Sequence, residues 1–360
     1  MALALVPRSG VSRFREIATP LVAFAAALAI AALVLALMGK SLGVAFEVYI
    51  REPLTSAWGI QEVILKATPL VLISVGLIFA VRANRWNIGA EGQYVVGGLC
   101  GGAVAIFAHG NSGFWVLPAM LIAGVLGGML YALVPAVLRN RFGISEILSS
   151  LMLVYVAELA LDYMVRGPWR DPKAFNFPKS VNFDAAATLG PMVEGGKLHW
   201  GIAMALLSVV AATVLLGRSR FGFAVSATGE APRAANFAGF NDRWITSAVF
   251  AISGALAGLA GIIEVSAQIG QLQPSISQGY GFTAIIVAFL GRLHPLGIIP
   301  AGLLVALSYI GGENAQVEVG VPQGVTGLFQ GLLLFFLLAS DFLVRYRVSF
   351  TSPRREVAPA

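Results

Sequence analysis

The chain has 360 residues, 58% of them hydrophobic and 12% charged, and a mean hydropathy of +0.82. That excludes a soluble domain, which carries about a quarter charged residues, and apolar runs of roughly 17–25 residues suit helices crossing a hydrocarbon layer of about 30 Å rather than the short alternating strands of a barrel. The net charge of +6 is explained by cations at span ends facing anionic headgroups and gives no reason to invoke nucleic acid.

The expected fold is therefore all-α: a polytopic membrane helical bundle of about ten transmembrane helices, with spans near 19–38, 62–81, 93–108, 115–138, 144–165, 199–217, 245–263, 281–291, 296–311 and 325–344. The third, eighth and ninth are short and glycine-rich, as tilted, broken or re-entrant helices are. Arg8 to Arg15 before an apolar run resembles a signal peptide, but the run from Thr19 to Met38 exceeds the usual 7–15 residues of such a segment, so an uncleaved first span is expected. Residues 1–18 then form an N-terminal segment, 19–345 the transmembrane domain, and 346–360 a tail.

Gly39-Lys40-Ser41 mimics the end of a phosphate-binding loop, yet Val34 stands where its first glycine belongs, so no nucleotide site is expected there. The patch Asn87-Ile-Gly-Ala-Glu-Gly-Gln93 breaks the apolar pattern between the second and third spans. Gly89 and Gly92 release the backbone from helix geometry, while Asn87, Glu91 and Gln93 either satisfy the freed amides or face a wet cavity. Two roles stay open for it: part of a solute pathway, or a rigid turn in which Glu91 caps a helix. The sequence places this patch at the cytoplasmic edge.

Small residues four apart, Gly97/Gly101, Gly98/Gly102, Gly124/Gly128 and Gly254/Gly258, predict helices whose backbones approach closely in lipid. Cys100 is the only cysteine and the three histidines are scattered. No disulfide, metal site or cofactor is expected.

Charges inside spans are costly unless they meet a partner or water. Glu158, Asp162 and Arg166 stand four apart and predict an ion-pair ladder. Glu146 has no obvious partner in sequence, and Glu264 lies near Gln268, Gln271 and Gln273; each either lines a polar pathway or snorkels to an interface or caps a helix. The outer loop 166–198, with prolines and glycines at its turns, predicts a fixed cap. In the loop 218–243, Thr228 is read as a cap, Pro232 as a first-turn residue, and Gly239 with Asn241 as the stop of a short helix. Alone in water such a helix is unstable, so it needs a partner surface.

Cytoplasmic loops retain positive charge. Arg82, Arg85, Arg139, Arg141, Arg218, Arg220, Arg233, Arg243 and Arg292 fall on one side with the arginines of both ends, whereas Lys40, Arg51, Lys66, Arg166, Arg170, Lys173, Lys179 and Lys197 fall on the other. Both termini are expected in the cytoplasm.

Together the patch Asn87–Gln93, Ala67-Thr-Pro-Leu70, Ser150-Leu-Met-Leu153, Gly167-Pro-Trp-Arg-Asp-Pro172, Gly229-Glu-Ala-Pro-Arg-Ala-Ala235, Ile252 to Gly261 and Gly281-Phe-Thr283 make the chain, from about Ala67 to Arg345, resemble the permease subunits of bacterial ABC importers for simple sugars and nucleosides, in the nucleoside branch. The resemblance implies a pathway subunit rather than an enzyme. It implies a second permease, the same or different; two cytoplasmic ABC ATPases; an external binding protein or lipoprotein; and residence, among membrane lipids, in the bacterial inner membrane. It also implies a coupling helix over Glu230 to Gly239, with Glu230, Pro232, Arg233, Asn236, Phe237 and Gly239 meeting the ATPase. A neutral-to-polar tunnel with aromatics Trp86, Tyr94 and Tyr155 beside Asn87, Glu91, Gln93 and Glu146 would suit a nucleoside. The chain departs from its relatives at Trp86, Ser145 and Val154, which leaves the ligand open. A simple-sugar permease and an ion-coupled secondary transporter are the alternatives; a membrane-embedded enzyme would need a nucleophile, base or metal constellation that the sequence lacks.

Overall fold

Serine at position 56 begins the most deeply buried of the described helices that are long and apolar enough to cross a membrane. In the computed structural model, which describes residues 2–7, 13–193, 195–276, 278–322, 346–351 and short stretches between 324 and 339, its hydroxyl accepts from the Gly59 N–H at 2.9 Å and so satisfies one of the helix's orphan donors. The chain is mainly helical: α1 Arg13–Leu37, α2 Ala57–Arg82, α3 Ala90–Phe107, α4 Val116–Phe142, α5 Glu146–Arg166, α6 Gly201–Arg218, α7 Arg220–Glu230, α8 Pro232–Phe237, α9 Asp242–Glu264, α10 Tyr280–Leu290 and α11 Pro295–Glu318. Six of these, α2, α4, α5, α6, α9 (with the π-turn that follows it) and α11, are long and apolar enough to cross a membrane. The expected tenth span, 325–344, lies largely outside the described residues.

Two compact units divide the chain, Pro53–Ile310 on one hand and Met1–Glu52 with Gly311–Ala360 on the other. In the second unit α1 is followed by short helical segments at Leu42–Phe46 and Glu47–Arg51. Lys40 Nζ donates to the Val319 carbonyl at 2.6 Å. The two chain ends pair there as antiparallel strands, Ala2–Pro7 with Tyr346–Thr351, an exception to the expected all-helical fold.

In the larger unit α2 is the axis. Of its apolar window 89% is buried, against 28% for α4 and 22% for α5, so α2 is apolar on all sides because protein surrounds it. α9, which packs on α2, crosses α3 and α4 at their glycines. A Cβ placed on Gly97 would strike the backbone of Gly258, one on Gly128 would strike Gly254 and Gly258, and one on Gly261 would strike the Tyr94 carbonyl. The spaced small residues thus do what their pattern predicts, letting three backbones touch where dispersion, not water, holds helices together.

α10 runs parallel to α2 in a register fixed by three bonds. Lys66 Nζ donates to Gln278 Oε1 at 2.9 Å, Ser74 Oγ to the Ala284 carbonyl at 2.8 Å, and Arg82 Nε to the Leu293 carbonyl at 3.1 Å. Arg85 is buried, pairing with Asp242 and donating to Thr246 Oγ1 at 3.0 Å, while Asn140 donates to the Arg243 carbonyl. These contacts gather Arg82, Arg85 and Arg243, with the last turn of α4, at one end of the unit.

The short helix in the 218–243 loop forms, with Pro232 at its first position and Gly239 at φ +87° closing it. Thr228 does not cap it. Residues 220–230 make a helix of their own that buries Thr228, and its hydroxyl has no hydrogen-bond partner among the described residues; Ala231 takes the cap position instead. Asn241 begins α9 rather than ending α8, accepting from the N–H groups of Arg243 and Trp244.

The opposite end is closed by the loop after α5, a folded cap as its turn residues suggest. Phe183 N–H donates to the Gly270 carbonyl at 2.7 Å and Ser180 N–H to that of Leu272 at 2.8 Å. At the loop's end His199 is buried, 3% exposed, and its Nδ1 accepts from the Gly201 N–H. Burial lowers this imidazole from 6.5 to about 4. The unfolded chain takes up that proton near 6.5 and the folded one only near 4, so stability falls as pH drops through this window and is untouched above it. At ~1.36 kcal/mol per decade the loss reaches about 3 kcal/mol. Thermal unfolding in detergent should show it as a slope between pH 6.5 and 4 that His199→Phe flattens.

Candidate functional site

Asn87, Glu91 and Gln93 of the patch are all buried. Its residues turn back into the bundle, because the polar groups they carry find partners only there. Asn87 and Gln93, both buried, exchange two amide hydrogen bonds of 2.9 Å. Asn87 Nδ2 also donates to Ser253 Oγ of α9 at 2.9 Å. A closed loop of donors and acceptors of this kind removes the cost of burying two amides in hydrocarbon surroundings.

Glu91 is fully buried, and its carboxylate accepts from the backbone N–H of Gly279 at 3.0 Å and from that of Gly281. These are the orphan donors at the start of α10, where the helix dipole favours a negative charge. Gly279 at φ +78° makes the turn into α10, and a side chain on Gly281 would collide with the backbone of Glu91. The carboxylate thus caps a helix, and the helix it caps lies far along the chain. α10 has 11 residues, about 16 Å at 1.5 Å per residue. Its C-terminal end adjoins the Leu293 carbonyl that holds Arg82, so Glu91 sits about half a bilayer thickness from the arginine-rich end.

Tyr94 continues the cluster one turn on. Buried like Glu91, it donates to the Ile276 carbonyl at 3.3 Å and meets Tyr280 edge to face at 5.8 Å. Tyr280 donates to Gln278 Oε1 at 3.0 Å and meets Tyr309 edge to face at 5.9 Å. Tyr309 is also in hydrogen-bond contact with Thr283 Oγ1 at 2.9 Å.

The other candidate residues stand apart from this cluster. Trp86 stacks on Phe289 at 5.8 Å and 20° and is 37% exposed. Tyr155 is 57% exposed and points away, because the face of α5 that packs on the patch is the one carrying Ser150 and Val154, against Gly89 and Gly92. Glu146 has a partner after all: Arg139, seven residues earlier, pairs with it across the turn from α4 to α5. The outer ladder forms between Arg166 and Asp162. Sequence reasoning missed Ser253, Lys66, Gln278, Tyr280 and Tyr309. Only Lys66, a cation within an apolar run, carried a local signal.

In the 218–243 loop the geometry is simple. Phe237 is 96% exposed; Glu230, Pro232, Arg233, Asn236 and Gly239 are exposed too, and Ala235 alone of α8 is buried. The helix therefore presents a full aromatic ring and a guanidinium outward.

Six described helices long and apolar enough to cross a membrane are the build of a multi-pass membrane protein. The family described as branched-chain amino acid transport system / permease component matches residues 59–338, and the chain belongs to it. The chain is similar to the glucose ABC transporter permease protein TsgB13 of Haloferax volcanii, 36% identical over 98% of this chain and 95% of that one. It is also similar to the guanosine ABC transporter permease proteins NupP and NupQ of Bacillus subtilis, 29% identical over 93% of this chain and 97% of that one, and 25% identical over 68% and 78% respectively. The protein is an ABC transporter permease, a pathway subunit and not a catalytic one, and permeases of this family work with ATPase and substrate-binding partners.

Proposed function

We propose that this chain and a second permease subunit form the pathway of an ATP-driven importer in the bacterial inner membrane, carrying a nucleoside delivered by an external binding protein or lipoprotein. The observation that carries the reading is the match of the permease family over residues 59–338, with guanosine permeases among the relatives; a cluster of amides, hydroxyls and aromatic rings at the break between α2 and α3 is in keeping with a polar solute. NupP supports the nucleoside, and the pair NupP and NupQ in one organism supports a partner that is a relative rather than a copy. The 36% identity to a glucose permease favours a second reading, a simple sugar. Reconstituted with its partners, the importer is expected to accumulate labelled guanosine in preference to glucose when ATP is supplied; the reverse preference replaces the first reading with the second. Family membership displaces the ion-coupled alternative.

About ten crossings and cytoplasmic termini complete the proposal. Retention of positive loops inside supports this orientation, since Arg82, Arg85 and Arg243 share one end of the larger unit, and the pairing of Ala2–Pro7 with Tyr346–Thr351 is consistent with termini on one side. In that orientation α8 faces the cytoplasm, and its Glu230-to-Gly239 surface is the seat of the ATPase. An aromatic ring as exposed as Phe237 contributes about 1.5–3 kcal/mol when it is buried against a partner. Phe237→Ala is expected to weaken ATPase binding about tenfold or more, and Arg233→Glu to lower solute-stimulated ATP hydrolysis to a similar degree. Unchanged pull-down of the ATPase and unchanged hydrolysis in both variants would reduce the loop to a linker.

A further inference from the structure

Lys66 lies 16 residues before Arg82 on α2, about 24 Å along the helix from the arginine-rich end, and therefore within the hydrocarbon thickness of about 30 Å. An ammonium this near the far end of a span faces water, headgroups or a polar partner. Its surroundings are specific. Nζ is 2.9 Å from Gln278 Oε1, in a bond at the molecular surface, and lies over two aromatic rings, 5.5 Å from the centre of Tyr280 and 5.6 Å from that of Tyr309. Tyr309 Oη also reaches the Gln278 carbonyl at 3.3 Å.

Burial sorts these groups. Tyr280 is fully buried and Thr283 nearly so, which makes them the floor. Lys66 and Tyr309 are half-buried and Gln278 is exposed, which makes them the rim. A separate cleft of about 560 Å³ is lined by Arg166, Phe177, Lys179, Gln271, Gln273 and Ser275, the last of them three residues before Gln278 in sequence. The arrangement combines a cation and an amide, which bind hydroxyls, with a tyrosine edge and face, which pack on the C–H surface of a saturated ring.

We propose that Lys66, Gln278 and Tyr309 form a solute subsite at the outer half of the pathway, taking the hydroxylated ring common to nucleosides and simple sugars. The proposal rests on the transport reading given above and adds to it the place where the solute is held. The subsite is tied to the signature patch by the shortest possible route. Gln278 is next to Gly279, whose N–H is bound by Glu91, and Tyr280 packs on Tyr94. A solute that draws Gln278 toward itself pulls on the turn that Glu91 holds, so occupancy is felt at half depth.

The test uses the whole importer, permease with ATPase and binding protein in proteoliposomes, and compares uptake rates of labelled guanosine, 2′-deoxyguanosine and glucose. The binding protein is the same throughout, so its own selectivity cancels between wild type and variant. A single hydrogen bond to a hydroxyl corresponds to about a fivefold change in rate ratio. Lys66→Gln, Gln278→Ala and Tyr309→Leu are expected to shift the guanosine to 2′-deoxyguanosine ratio by about that factor. Lys66→Arg and Tyr309→Phe retain charge or ring and should restore most of the wild-type ratio. Rates that fall equally for all three solutes, or do not fall, overturn the subsite. Failure of the wild-type importer to take up either guanosine or glucose overturns instead the transport reading beneath it.

Discussion

Glu91→Ala is expected to destabilise the permease by about 3–5 kcal/mol, the largest loss among single polar substitutions in the larger unit. Two backbone donors at the start of α10, those of Gly279 and Gly281, are bound by this carboxylate at a fully buried position. A hydrogen bond to a charged group contributes about 1.5–3 kcal/mol, and a buried donor left unsatisfied costs about as much. Glu91→Gln keeps one acceptor oxygen but not the charge that complements the helix dipole, and is expected to cost about 1–2 kcal/mol. Thermal unfolding of the detergent-purified protein checks both. Equal unfolding temperatures for wild type and Glu91→Ala would show that the cap contributes nothing. Uptake separates the two roles left open for the patch: a Glu91→Gln protein that folds, assembles and transports normally has in Glu91 a cap alone, whereas one that folds and assembles but does not transport has a pathway residue.

Gly258→Leu is expected to prevent the bundle from closing. At this residue three helices meet: a side chain would strike the Gly124 carbonyl and reach Gly128 N at 3.1 Å, while Gly97 approaches from the other side. These obstacles are backbone, which cannot swing away as a side chain can, so even Gly258→Ala should cost about 1–3 kcal/mol and leucine more. Gly217 provides the contrast. It lies in the last turn of α6 with open space where its Cβ would be, and Gly217→Ala should stabilise by about 0.5–1 kcal/mol through lower unfolded-state entropy and better helix propensity. Yield of folded protein and its unfolding temperature test the pair. Equal tolerance of the two alanines would refute the close crossing.

The helices were legible because each writes its own pattern. The run from Ala67 to Val81 is almost wholly apolar, and a helix over Ala57–Arg82 follows. Four-residue glycine spacing at Gly124/Gly128 and Gly254/Gly258 signals close approach, and α4 and α9 do cross there. The short helix after Pro232 was visible for the same reason, since a proline start and a positive-φ glycine stop are local requirements. Thr228 misled because a helix already running through it from Arg220 overrides a cap preference. Glu146 looked unpaired because its partner, Arg139, belongs to the helix before the turn.

The sequence by itself determined that this is a polytopic helical membrane protein with an asymmetric distribution of arginine, and the motif Asn87–Gln93 pointed to the permease family that the comparisons establish. Hydropathy, charge at span ends and short motifs are properties of neighbouring residues, and they survive without knowledge of the fold. The tertiary structure alone decided what the motif touches. Glu91 and Gly279 are 188 residues apart, Asn87 and Ser253 are 166 apart, and Lys66 and Gln278 are 212 apart. No periodicity links such positions. They meet because α9 and α10 pack on α2 while α3 packs on α9 and α10, and the low dielectric of that interior obliges buried amides and carboxylates to find partners at close range.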